Sequence, residues 1–87
     1  MISGLTFALA QINPTVGDVG GNAAKVHTHW SATTSDLIIF PECVLSGYPA
    51  DDLILNDSFL ALNRRHFEQL VAESRNYSAG AVITLPW

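Results

Sequence analysis

Three apolar runs, each closed by a proline, alternate with two stretches of helical periodicity along this chain. Residues 5–12 (LTFALAQI) follow Gly4 and end in Asn13-Pro14, which reads as a buried strand and a turn. Residues 37–40 (LIIF) form an unbroken apolar run that Pro41 must stop, because proline has no N–H to continue a ladder. Such a run cannot alternate between core and water, so it predicts a strand buried on both faces. Residues 81–85 (AVITL), closed by Pro86, predict a third strand. Between the first two, Ala23, Val26 and Trp30 recur at helical spacing behind the N-cap candidate Asn22, and Thr33, Thr34 and Ser35 end that helix. A second, longer helix is predicted from a cap at Asp57 or Ser58 to about Asn76, with Phe59, Leu60, Phe67, Leu70 and Val71 as its apolar face. The resulting order, β-α-β-α-β, implies parallel strands joined by helical crossovers, an α/β fold.

Composition narrows the function classes. The net charge is −4 and only 14% of residues are charged, which leaves no basic patch for a phosphate backbone, so nucleic acid is not an expected partner. No apolar run approaches the ~20 residues of a membrane helix, and the N-terminus lacks the basic segment and cleavage site of a secretory signal. A cytoplasmic protein without membrane contact is expected. A single cysteine, Cys43, excludes an intrachain disulfide and any multi-cysteine metal site. At 87 residues the chain would bury only about 60% of its unfolded surface, and it stops one residue after Pro86 with no helix to cover the second sheet face. Both points predict an incomplete piece of a larger domain.

Glu42 is the foremost candidate for chemistry. It lies just past the carboxyl end of a buried strand, where open α/β sheets gather their ligands, and this place favours a functional acid or base over a solvated loop carboxylate. Cys43 reads as a small buried hydrophobe beside Val44; on an extended backbone it would point away from Glu42. His27 and His29, two apart on a helix, diverge and read as surface residues, and His66 is isolated. Asp51 reads as the cap of a short turn at Leu53, and a hard cation at Asp51-Asp52 would need oxygen ligands that the sequence does not reveal. Gly17, Gly20 and Gly21 lack the spacing and the lysine of a phosphate loop.

Taken together, AQINPTVGD (residues 10–18 within ALAQINPTVGD) with Gly21-Asn22 downstream, DLIIFPE (36–42) and LSGYPADDLIL (45–55) resemble the opening of a carbon–nitrogen hydrolase domain of the nitrilase superfamily. The subgroup they are most similar to is the N-terminal glutaminase domain of glutamine-dependent NAD synthetases. The resemblance implies that residues 1–87 are the N-terminal β-α-β-α-β portion of an αββα four-layer sandwich, with the rest of that domain and any synthetase domain absent. It further implies a Glu-Lys-Cys triad in which Glu42 is the general base, and a glutamine pocket lined by Tyr48. The triad lysine and cysteine do not carry over, since Lys25 lies in the first helix and Cys43 stands where the family commonly has leucine; both are expected beyond residue 87. No cofactor is implied for the hydrolase portion, while ATP and Mg are implied for the absent synthetase domain, as is a homo-oligomeric parent. Two other readings stand beside this one: a free-standing amidase or nitrilase acting on a small amide, and a noncatalytic α/β module that binds a partner through its exposed edge.

Overall fold

The computed structural model of the chain describes residues 4–86. In chain order they form β1 (Phe7–Leu9), α1 (Val19–Ala32), β2 (Leu37–Ile39), a 3-10 turn (Asp51–Leu55), α2 (Asp57–Glu73) prolonged by a 3-10 turn (Ser74–Asn76), and β3 (Gly80–Val82). The order expected from the sequence holds, but each strand is three residues long and shorter than its apolar run. The middle strand sets this length. Both β1 and β3 pair in parallel with β2, in the rows Phe7–Leu37–Gly80, Ala8–Ile38–Ala81 and Leu9–Ile39–Val82. β2 is bounded by Asp36, whose carboxylate accepts from Thr6 N (2.8 Å) and the Thr6 hydroxyl, and by Pro41. Pairing ends where the shared partner ends.

The period of two then splits the sheet into unequal faces. Ala8, Ile38 and Ala81 point to the helices, where Val19, Ala23, Val26 and Trp30 of α1 and Phe59 and Leu70 of α2 close over them with Phe40, Val44 and Leu45. Each large side chain buried here contributes about 1.5–3 kcal/mol of transfer free energy. The Trp30 indole N–H, which would be costly to bury alone, donates to Ala79 O at 2.8 Å just before β3. On the other face nothing among the described residues covers the strands: Leu9 is 71% exposed, Phe7 59% and Val82 42%. Strands expected to be buried on both faces are therefore covered on one.

Four local expectations are corrected. Helix α1 is capped by Asp18, which accepts from Gly21 N, and Asn22 is instead fully buried inside the first turn. Helix α2 is capped by Asn56, which accepts from Phe59 N, one residue before the expected cap. Asp51 caps nothing: the 3-10 turn starts after Ala50 without a side-chain cap, and Asp51 itself has φ +52°. On α2, Val71 points out at 49% exposed, while Asn63 takes a place in the buried face between Phe59 and Leu70. Its amide N–H donates to Phe59 O, one turn back, while its buried Oδ1 has no partner among the described residues.

Candidate active site

Phe40 is buried and its N–H makes the last rung of the sheet with Val82 O (3.2 Å). Pro41 cannot supply another, and the chain turns at Glu42 into the loop 41–50 at the carboxyl end of β2. The turn is tight because Cys43 adopts φ +49°, the left-handed region, which costs a side-chain-bearing residue about 1–2 kcal/mol. That conformation is held from both sides. Cys43 N donates to the Thr84 hydroxyl (2.9 Å), and Cys43 O accepts from Gly47 N (2.9 Å) and from the Ser46 hydroxyl (3.2 Å). The adjacent-residue geometry expected for an extended backbone at 42–43 is thus replaced by a turn, and Cys43 is a partly buried free thiol, less enclosed than expected.

Below the turn, Val44, Leu45 and Ser46 are fully buried and root the loop in the core. The Asn22 carboxamide joins this root to the loop that follows β1. Its Oδ1 accepts from Thr15 N, and its Nδ2 donates to Thr15 O and to Leu45 O, all at 2.8 Å. Gly17 N donates to Ser46 O (2.9 Å), and Gly47, at φ +78°, lies so close to the other loop that a Cβ would come within 2.6 Å of Val16 Cα. Only glycine meets both demands at position 47. The loops after β1 and β2 therefore form one rigid platform at the carboxyl edge of the sheet.

The two residues singled out from the sequence stand on this platform. Glu42 is exposed and, among the described residues, its carboxylate has no hydrogen-bond or ion-pair partner. Tyr48, six positions on in the same loop, is 67% exposed. A carboxylate without a structural partner on a fixed turn is free to take a proton from a ligand or a neighbouring group. Lys25 does not reach the site; its ammonium donates to Asn13 O (2.8 Å). No group of three or more His, Cys, Asp or Glu capable of holding a metal ion occurs among the described residues, and Gly20 and Gly21 lie in the first turn of α1.

A cleft of about 440 Å³ lies elsewhere, in the seam between α1 and α2, bordered by Gly20, Ala23, His27, His66, Leu70 and Glu73. Three of its ionisable groups are engaged with one another: the Tyr77 hydroxyl donates to Glu73 Oε2 (3.1 Å) and bonds His27 Nδ1, which lies 3.2 Å from the same carboxylate oxygen. This is a clasp between helices, whereas the Glu42 carboxylate is exposed and without such a partner among the described residues. Sequence reasoning missed Asn22 as a loop tie and overlooked Thr84. Asn22 carried a misleading signal, since asparagine at a helix start suits a cap; Thr84 carried none.

Comparison with known proteins shows what this arrangement is similar to. Over 85 residues the chain is 41% identical to the glutamine-dependent NAD(+) synthetase of Aquifex aeolicus, and over 75 residues 43% identical to that of Thermotoga maritima. It is 34% identical over 87 residues to the same enzyme of Xanthomonas campestris pv. campestris. These matches cover 95%, 83% and 95% of the chain, so the Glu42 loop falls inside the widest of them, but only 15%, 13% and 15% of the relatives. The chain spans about 15% of the length of the curated relatives it matches. No family model matches it.

Proposed function

We propose that the chain is the N-terminal part of the amidohydrolase domain of a glutamine-dependent NAD synthetase, with Glu42 as general base and Tyr48 lining the glutamine pocket. The observation that carries the reading is the similarity to enzymes of that name along nearly the whole chain, joined to an unpartnered carboxylate at the carboxyl end of the central strand. The bare apolar sheet face supports the four-layer αββα arrangement, in which a second sheet packs about 10 Å away. The triad lysine and cysteine then belong to the remaining sequence, as does the synthetase domain with its ATP and Mg; Gly20 and Gly21 start α1, and Gly17 and Gly47 close the loop platform. A cytoplasmic homo-oligomer is the parent this reading implies.

In the proposed reaction Glu42 accepts the proton of the cysteine thiol, because thiolate and not thiol is the nucleophile. The thiolate adds to the side-chain amide carbon of glutamine, and the oxyanion that forms needs a cationic or N–H donor, the lysine's role. Return of the proton to nitrogen expels ammonia and leaves a thioester, which water hydrolyses to glutamate. The ammonia is consumed by the second domain in amidating adenylylated deamido-NAD. In the full-length enzyme, Glu42→Gln keeps the size of the side chain and removes the base, so glutamine-driven NAD formation should fall about 10²- to 10⁴-fold. Formation from added ammonia should persist. Equal loss by both routes in a folded variant would reject a coupled synthetase and favour a self-contained amidase.

A further inference from the structure

We propose that Thr84 is the positioning residue for Glu42. The sheet can hold the chain up to Phe40 through backbone rungs, the last being Phe40 N to Val82 O, and Pro41 then interrupts the ladder. Two residues further on, a side chain takes over where the backbone cannot. The Thr84 hydroxyl, just beyond β3, accepts the N–H of Cys43 at 2.9 Å across 41 positions of sequence. That N–H belongs to the peptide linking Glu42 to Cys43, the very unit whose rotation aims the Glu42 Cα–Cβ bond. Cys43 sits at φ +49°, a conformation a non-glycine residue leaves readily unless something outside the turn fixes it. The bonds to Cys43 O from Gly47 and Ser46 tie the carbonyl side of the residue to the core-rooted loop platform, and among the described residues its N–H side is held only from Thr84. Thr84 is the tie that references the turn to the sheet. The hydroxyl is needed as an acceptor and the methyl is not, so serine should replace threonine and valine should not.

This inference rests on Glu42 acting as the base, and the test separates the two. In the full-length enzyme, Thr84→Val should lower kcat for glutamine-driven NAD formation about tenfold, as expected for a base displaced by a fraction of an ångström, with KM for glutamine nearly unchanged. Ammonia-driven formation should remain at the parent level, and Thr84→Ser should restore glutamine-driven kcat to within about twofold. Parent-like kcat in Thr84→Val, equal loss by both nitrogen sources, or failure of Thr84→Ser to restore activity would each overturn the positioning role. If Glu42→Gln itself leaves glutamine-driven activity intact, the base assignment fails and this inference with it; if Glu42→Gln is inactive while Thr84→Val is normal, only Thr84 is rejected.

Discussion

Asn22 shows how much of a loop arrangement can depend on one buried side chain. With no solvent exposure and three hydrogen bonds at 2.8 Å, it pins Thr15 in the loop after β1 to Leu45 in the loop after β2. Removing the carboxamide leaves the buried Leu45 carbonyl without its partner, at a cost of about 1–3 kcal/mol, and frees the part-buried Thr15 N–H and carbonyl as well. Asn22→Ala should therefore destabilise the protein by about 2 kcal/mol or more, and hydrogen exchange at Thr15 N should accelerate far more than at α2 amides. Parent-like protection at Thr15 would show that the loops are held by other contacts. The dual role was hidden in the sequence because the partner Leu45 is 23 positions away, while the local signal, asparagine among small residues at a helix start, matches a cap. The place of Glu42, exposed just past the carboxyl end of β2, was legible for the opposite reason: its context of strand, proline and carboxylate is entirely local.

At the scale of elements, the helices were legible in type and nearly in extent, since Val19, Ala23, Val26 and Trp30 keep one face of α1 to the sheet. Their mutual contact was not, because it depends on the residue after the second 3-10 turn. Tyr77 packs its ring on Trp30 at 5.0 Å between centroids and joins His27 of α1 to Glu73 of α2. Partial burial, followed by the hydrogen bond and negative charge of Glu73, raises the Tyr77 phenol above its ordinary value of 10.0. The folded state thus binds the phenolic proton more tightly than the unfolded state. Its stabilising contribution is complete below pH 10 and is lost as pH rises through the raised folded value. The denaturant midpoint should accordingly fall on going from pH 9 to about pH 11, and Tyr77→Phe should flatten that fall at the cost of a lower midpoint at pH 8. An equally steep alkaline loss in Tyr77→Phe would assign it to other groups.

Across the whole molecule, apolar pattern and proline punctuation disclosed the α/β order, while the unbroken Leu37-Ile38-Ile39-Phe40 run predicted cover on both faces where the described residues cover one. Strand lengths were beyond sequence reasoning because the extent of β2 fixes those of β1 and β3, and Thr84 was beyond it because its bond forms only after the strands align. The uncovered face carries the last consequence. Phe7, Leu9 and Val82 present their side chains in paired rows with Leu37 and Ile39, a contiguous apolar surface of the kind that drives association. Expressed as 87 residues, the chain should bind a hydrophobic dye and sediment as concentration-dependent oligomers. Leu9→Lys combined with Val82→Glu, one charge in each edge strand of the same row with Ile39 between them, should reduce both signals while leaving the helical far-ultraviolet spectrum in place. The helix-facing core of Ile38, Trp30 and Phe59 is untouched by these changes, so loss of helical signal would mean that the bare face itself is required for folding. A cooperative, monomeric thermal transition of the unmodified chain would refute the need for a cover, and with it the support that this face lends to a second sheet.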